Sequence, residues 1–163
     1  MTSKTIVVAT DFSELSQAAL EHAKELARAT GSKIHLVHVV DELAARYIDL
    51  PDYPQMGQLQ TTLERSAHAR LEEIAGGDPS LQNASTEVLT SRSTAEAIVS
   101  FARDVHADLI VIGTHGRSGI GRFFLGSVAE RLLRIAQCPV LTVPQRTSAA
   151  KTDERIREAV VQA

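Results

Sequence analysis

Residues 108–127 read DLIVIGTHGRSGIGRFFLGS, an apolar run followed by a glycine-rich segment. The run DLIVIG (108–113) is almost continuously apolar, which is typical of a strand covered on both faces of its sheet. The segment from Gly113 to Ser127 holds five of the nine glycines of the chain. An ordered glycine is usually found where the backbone needs an unusual φ angle or where another group comes very close to the backbone. The stretch therefore predicts a buried strand whose end is approached closely, either by another part of the protein or by a ligand.

Four other runs have the character of strands, and helical patterns lie between them. The runs are TIVVAT (5–10), KIHLVHVV (33–40), STEVLT (85–90) and PVLTVP (139–144). The order β-α-β-α-β-α-β-α-β predicts an α/β fold with a parallel sheet, helices on both faces and right-handed crossovers. Ligands of such sheets bind beyond the carboxyl ends of the strands, where the strand order reverses.

Four helices are predicted from apolar residues repeated at helical spacing. The first begins near an N-cap at Ser13 and ends at Gly31, and the second ends at Gly76 and Gly77. Ser93 and Glu96 predict a capping box at the start of the third. The four stripes are Leu15, Ala18, Ala19, His22, Ala23, Leu26 and Ala27; Leu59, Leu63, Ala67, Leu71 and Ile74; Ala95, Ile98, Ala102 and Val105; and Leu125, Val128, Ala129, Leu132, Leu133 and Ala136.

Length and composition indicate one globular domain. The chain has 163 residues, of which 44% are hydrophobic and 23% charged. The net charge of −3 argues against a general affinity for nucleic acid or anionic membranes. The single cysteine, Cys138, excludes an intramolecular disulfide and is expected to be a buried apolar residue. Neither a signal peptide nor an apolar run of membrane-spanning length is recognisable, so the cytoplasm is the expected location.

Two segments fall outside the predicted helices and strands. Residues 41–57, with Pro51 and Pro54, are expected to form a surface loop or a flap. The domain is expected to span residues 1–146, and residues 147–163 to form a tail. Ile156, Ala159 and Val160 share a face of that tail, so a short helix and a frayed end both remain open.

Two common phosphate-binding patterns fail on the glycine segment. GxGxxG fails because Phe124 stands where the third glycine belongs. In the Walker A pattern, Gly116 and Gly121 have the right spacing, but Arg122 replaces the lysine and Phe123 replaces the hydroxyl residue. The spacing that remains is Gly113-x2-Gly116-x9-Gly126-Ser127.

The physical chemistry of this third spacing suits an anion. Gly126 and Ser127 precede the fourth helix, whose N-terminal N–H groups carry about half a positive charge. Gly113 and Gly116 lack a Cβ that would obstruct the approach of a phosphate to the backbone. Residues 117–134 also carry Arg117, Arg122, Arg131 and Arg134 against Glu130 alone. The alternative is a glycine-rich surface loop that binds nothing.

The same spacing resembles the nucleotide-binding signature of the universal stress protein family. VVATDFSE (7–14), HLVHVVDE (35–42) and CPVLTVP (138–144) extend the resemblance to roughly residues 3–144. The resemblance implies a five-stranded parallel sheet of order 3-2-1-4-5, Rossmann-like and similar to the adenine nucleotide alpha hydrolases. It also implies ATP as the ligand, with Mg²⁺ or Mn²⁺ carried on the phosphates.

The resemblance also implies a set of nucleotide-binding residues. Asp11 would meet the ribose, although a carboxylate here also fits a simple helix cap. Ala9 and Thr10 would line the site, and Val39 and Ile112 would frame the adenine. The phosphates would lie against Gly113, Gly116, Arg117, Gly126, Ser127 and Val128. His115 either touches phosphate or has no role, and His35 and His38 lack the partners of a zinc site.

These expectations favour a regulatory, nucleotide-binding stress-response protein over an enzyme. The sequence offers no general base placed to activate water, no Walker lysine, no defensible Ser-His-Asp set and no catalytic residue. The alternatives are a slow ATPase or another adenine-nucleotide enzyme, and a dimeric scaffold that binds no nucleotide. PVLTVP is expected to be an edge strand that pairs with its copy in a homodimer, as is common in relatives. An unidentified protein partner remains open.

Overall fold

The computed structural model describes residues 4–42, 53–114 and 125–144. The strands are β1 (Thr5–Ala9), β2 (Lys33–Asp41), β3 (Ser85–Ser91), β4 (Leu109–Gly113) and β5 (Val140–Val143). The helices are α1 (Glu14–Thr30), α2 (Tyr53–Gly77), α3 (Thr94–Asp104) and α4 (Ser127–Ile135), with a 3₁₀ turn at Pro79–Leu81.

The five strands form one parallel sheet of order β3-β2-β1-β4-β5, which confirms the predicted fold class. The order reverses at β1, which lies between β2 and β4. Ala9 at the end of β1 is level with Val37 of β2, and Val8 is level with Val111 of β4. The carboxyl ends of these three central strands therefore meet at one edge of the sheet.

Alternating residues of the strands divide the core into two layers. On one face, Val8, Leu36 and Val111 pack against α1 and α2 through residues such as Leu20 and Leu71. On the other face, Val7, Val37 and Ile110 pack against α3 and α4 through residues such as Ile98 and Leu132. Both faces of the sheet are thus covered, which explains why its central strands are continuous apolar runs.

The buried face of α1 differs from the predicted stripe. The helix buries Ser16, Ala19, Leu20, Ala23 and Lys24, whereas His22 and Leu26 are exposed. Lys24 tolerates burial because its ammonium group bonds Glu21 in α1 and Asp78 before the 3₁₀ turn. The N-cap at Ser13 and the left-handed C-cap at Gly31 are confirmed.

Three further predictions of local structure are corrected. Ser93 is the N-cap of α3, but no side-chain capping bond forms there; its N–H donates to the Ser91 hydroxyl, and Glu96 bonds Arg131 of α4. The segment predicted as a loop over 41–57 is shorter, since Asp41 belongs to β2 and residues 53–57 belong to α2. Three leucines of the predicted stripes are exposed: Leu59, Leu63 and Leu133.

Cys138 is partly buried against the α3–α4 core layer, rather than fully buried as expected. No helix in the described parts of the chain combines the length and apolar character needed to cross a bilayer. Residues 43–52 of the predicted loop and the tail at 147–163 lie outside the described residues.

Candidate functional site

A cavity of about 260 Å³ opens where the strand order reverses, at the carboxyl ends of β1, β2 and β4. It lies on the side of the sheet that α3 and α4 cover. Its lining residues are Ala9, Thr10, Asp11, Ser16, Val37, His38, Val39, Thr94, Ile98, Ile112, Gly113, Thr114, Gly126, Ser127, Val128 and Ala129. The location is the one at which open α/β sheets bind ligands.

The floor of the cavity is apolar. Ala9, Val37, Val39 and Ile112 alternate along their strands and share one face of the sheet, and Ile98 of α3 lies beside them. Small and β-branched side chains at the strand ends leave a shallow apolar surface. Such a surface suits a flat ring that is held by dispersion and desolvation.

The N-terminus of α4 provides hydrogen-bond donors to the cavity. Gly126 is the N-cap residue and has no side chain to accept a bond from the first turn. The first i→i−4 bond of the helix runs from Glu130 N to Gly126 O, at 2.9 Å. The N–H groups of Ser127, Val128 and Ala129 come before that bond, and all three residues line the cavity. This end of the cavity is electropositive and suited to an anion.

Asp11 lines the cavity and also supports the start of α1. Its Oδ1 accepts hydrogen bonds from the backbone N–H of Ser13, at 3.0 Å, and from the Ser13 hydroxyl. Burial of the carboxylate raises its pKa, but the hydrogen bonds from Ser13 and Ser16 outweigh burial, so the pKa lies below its ordinary value. Asp11 is therefore ionised at neutral pH and can accept hydrogen bonds from ligand hydroxyls.

Glycine at position 113 has a packing reason. A Cβ there would lie 3.2 Å from the carbonyl carbon and from the carbonyl oxygen of Leu15. The strand end thus lies against the first turn of α1, and the absent Cβ makes room for that turn. Gly113 lines the cavity as well, but the need for glycine at this position arises from the contact with the helix.

The structure brings nine of the predicted site residues to the cavity: Ala9, Thr10, Asp11, Val39, Ile112, Gly113, Gly126, Ser127 and Val128. Ser127 is the first residue of α4 rather than a residue before the helix. Gly116 and Arg117 lie outside the described residues, as does His115. Arg131 bonds Glu96, and Arg134 bonds Glu130. The predicted excess of positive charge is therefore partly neutralised by neighbouring carboxylates.

Sequence reasoning missed several polar residues of the cavity. Thr114 directly follows β4, Thr94 begins α3, and Ser16 lies in the first turn of α1. All of them lie at the carboxyl edge of the sheet, and that position along the chain is the signal that could have found them. His38 was considered only as a metal ligand. In the described parts of the chain, no three His, Cys, Asp or Glu residues are grouped to hold a metal ion.

Comparisons with known proteins agree with this architecture. Residues 2–144 match the model of the universal stress protein family. A universal stress protein of Methanocaldococcus jannaschii is 35% identical over 141 residues, which cover 86% of this chain and 81% of that protein. The solved structure of protein MJ0577 from the same organism superposes with a TM-score of 0.76 at 27% identity, covering 90% of this chain and 99% of that one.

A second similar structure was solved with a bound nucleotide. A universal stress protein from Archaeoglobus fulgidus, solved in complex with dAMP, superposes with a TM-score of 0.56 at 26% identity. The match covers 87% of this chain and 98% of that one. The fold and its cavity thus define an α/β protein with a cavity at the switch point of its parallel sheet. With the match over residues 2–144, the chain belongs to the universal stress protein family.

Proposed function

We propose that the protein binds ATP in the cavity at the carboxyl ends of β1, β2 and β4. One observation carries the proposal: a single cavity joins an apolar floor, the Asp11 carboxylate and the uncapped N-terminus of α4. These are the three surfaces that a base, a ribose and a phosphate chain require. The relative solved with dAMP supports an adenine nucleotide as the ligand class.

Each part of the ligand has a place in the proposed complex. The adenine lies on Ala9, Val39 and Ile112, where apolar surface is buried. The ribose hydroxyls donate to Asp11. The phosphates accept from the N–H groups at the start of α4 and from the Ser127 hydroxyl. Any Mg²⁺ or Mn²⁺ would enter on the phosphates.

The chemistry of the cavity favours regulation by binding over catalysis. Among the described lining residues, Asp11 is the one carboxylate, and its lowered pKa makes it a weak proton acceptor. We therefore propose a nucleotide-dependent regulatory protein of the cytoplasm. We further propose a homodimer that pairs through the exposed edge of β5.

Two measurements test nucleotide binding. Native mass spectrometry of freshly purified protein should reveal a co-purified adenine nucleotide. Calorimetry on the stripped protein should then show saturable binding of ATP, with GTP as the control for the base. Saturation by neither nucleotide would overturn the proposal, and equal affinity for both would remove the assignment of the base.

A further inference from the structure

Phe12, the residue after Asp11, has a backbone conformation that residues other than glycine rarely adopt. Its φ is 65°, in the left-handed region. That region is sterically unfavourable for a residue with a Cβ, so surrounding contacts must hold Phe12 there. Backbone strain of this kind concentrates at functional sites.

Three contacts hold Phe12 in place. Its N–H donates to the Thr10 hydroxyl at 3.0 Å. One side of its ring packs on His38, with ring centroids 4.3 Å apart and an interplanar angle of 33°. The guanidinium carbon of Arg70, on α2, lies 4.2 Å from the ring centroid. At this distance a guanidinium is attracted to an aromatic face.

His38 connects this stack to the end of β1. Its Nδ1 lies 2.7 Å from the carbonyl oxygen of Thr10. A carbonyl oxygen only accepts, so Nδ1 carries the proton and donates. The backbone on both sides of Asp11 is therefore fixed, through Thr10 by the His38 hydrogen bond and through Phe12 by the ring stack.

Phe12 and Arg70 lie on the far side of the cavity wall. They line a second cavity, of about 420 Å³, between α1 and α2. Neither is among the described residues that line the proposed nucleotide site. Thr10 and Ser16 line both cavities, and their hydroxyls are 3.0 Å apart. Phe12 and Arg70 can therefore act on nucleotide affinity only indirectly, through the Thr10–Asp11 backbone or through His38, which contacts Phe12 and lines the nucleotide site.

We infer that Phe12, in contact with both His38 and Arg70, is a positioning residue that aims the Asp11 carboxylate into the nucleotide site. Without the stack, residue 12 returns to negative φ and the peptide between residues 11 and 12 rotates. Asp11 then moves relative to α4 and loses the bound ribose. Because Arg70 belongs to α2 and contacts Phe12, α2 also influences nucleotide affinity through this contact. This inference rests on the proposed function.

A double-mutant cycle tests it, with ATP affinity measured by calorimetry. Phe12→Ala should weaken ATP binding about tenfold and Arg70→Met about threefold, while Phe12→Tyr, which keeps the ring, binds as the parent does. Arg65→Met is the matched control, because Arg65 is an exposed arginine of the same helix. In the Asp11→Ala background, Phe12→Ala should cause no further loss. A change in packing alone would weaken both backgrounds equally.

The outcomes separate this inference from the proposed function. If the parent protein binds no ATP, both are overturned. If the parent binds ATP and Phe12→Ala binds equally well, or if the effects of Phe12→Ala and Asp11→Ala are additive, only the positioning role is overturned. Urea unfolding checks that each variant is folded. Phe12→Leu replaces Phe12→Ala if the smaller residue prevents folding.

Discussion

A Cβ at position 113 would lie 3.2 Å from two backbone atoms of Leu15, a distance that requires α1 to move. We expect Gly113→Ala to lower the free energy of unfolding by about 1–3 kcal/mol, as overpacking does elsewhere. Gly57→Ala is the control. Gly57 lies inside α2, where a Cβ meets nothing within 4 Å, so alanine there should stabilise by about 1 kcal/mol. Urea unfolding measures both, and equal effects would contradict the packing argument.

Asp11 is expected to contribute to nucleotide binding through its charge. Asp11→Ala should weaken ATP binding by about 1.5–3 kcal/mol, the usual value of hydrogen bonds to an ionised acceptor. Asp104→Ala removes the same charge at the far end of α3 and should leave the affinity unchanged. Calorimetry decides between a role in binding and a role as a helix cap, because unchanged affinity in Asp11→Ala would leave this residue a role at the start of α1, where Ser13 and Ser16 bond it.

The residues that sequence reasoning found differ in kind from those it missed. Ala9 and Ile112 could be predicted because they end apolar strands at the switch point. The left-handed conformation of Phe12 could not, because it depends on His38 and Arg70, which are 26 and 58 residues away in the chain. Contacts between distant segments leave no local pattern.

The same reason explains the rotated buried face of α1. Helical spacing placed His22 and Leu26 inside, whereas Lys24 is 7% exposed and Leu26 is 36% exposed. A lysine counts as polar in any pattern, and the burial of Lys24 is tolerable because Glu21 of the same helix and Asp78 of a distant segment both bond its ammonium group. Long apolar strands were predictable because their burial needs no specific partner.

The Lys24–Asp78 pair predicts a pH dependence of stability. Hydrogen bonds from Lys24 and Ser80 hold the pKa of Asp78 well below the ordinary 3.8. At a pH between the lowered pKa of Asp78 in the folded protein and its ordinary pKa in the unfolded chain, the unfolded chain binds a proton that the native protein does not. The free energy of unfolding therefore rises with pH across this range. The stabilisation by the Lys24–Asp78 pair is complete above about pH 5 and is lost as the pH falls further.

Asp78→Asn should therefore destabilise the protein most at neutral pH, with the difference from the parent shrinking toward pH 2. Urea midpoints across this range measure the effect. Lys24→Met supplies the control background, in which Asp78→Asn should have a smaller effect at neutral pH. A difference that stays constant with pH would contradict the assignment.

The role of the uncapped start of α4 in phosphate binding can be tested by a substitution that is expected to raise the stability of the protein and to lower its affinity for ATP. Gly126 has φ −61° and ψ 150°, which Asp adopts readily. Gly126→Asp should cap the first turn and add a favourable charge there, raising stability by about 0.5 kcal/mol. The same carboxylate should abolish ATP binding, because it occupies the proposed phosphate position and its negative charge repels the phosphates. Gly126→Asn caps without the charge, so a smaller loss of binding is expected; undiminished affinity in both variants would contradict a phosphate site at α4.

At the scale of the whole molecule, β5 is an edge strand of the described sheet, and β4 is the one described strand with which it pairs. The carbonyl groups of Pro139 and Val143 accept bonds from Ile110 of β4 and from Thr114 after it, so Val140 and Thr142 direct their backbone groups outward. Leu141, between them, is 36% exposed. A short outward row without charged side chains favours pairing with a second copy.

Thr142→Pro removes an outward N–H without breaking the pairing to β4, so it should convert a dimer to a monomer. Thr142→Val keeps the N–H and should remain dimeric. Val140→Lys places like charges across the two-fold axis and should also dissociate the dimer. Light scattering decides, since a parent mass near the 17.6 kDa of one chain would overturn the dimer.

The N–H of Gly126 donates to the carbonyl oxygen of Thr114 at 2.6 Å, so the N-cap residue of α4 is bonded directly to the residue that follows β4. Both groups of this bond belong to the main chain. The separation between the first turn of α4 and the end of β4 is therefore fixed by backbone atoms, whatever side chains the two positions carry. In the proposed complex, the distance between the phosphate position and the base position is thus a property of the backbone, and changes of side chain at the cavity can alter which ligand is preferred without altering that distance.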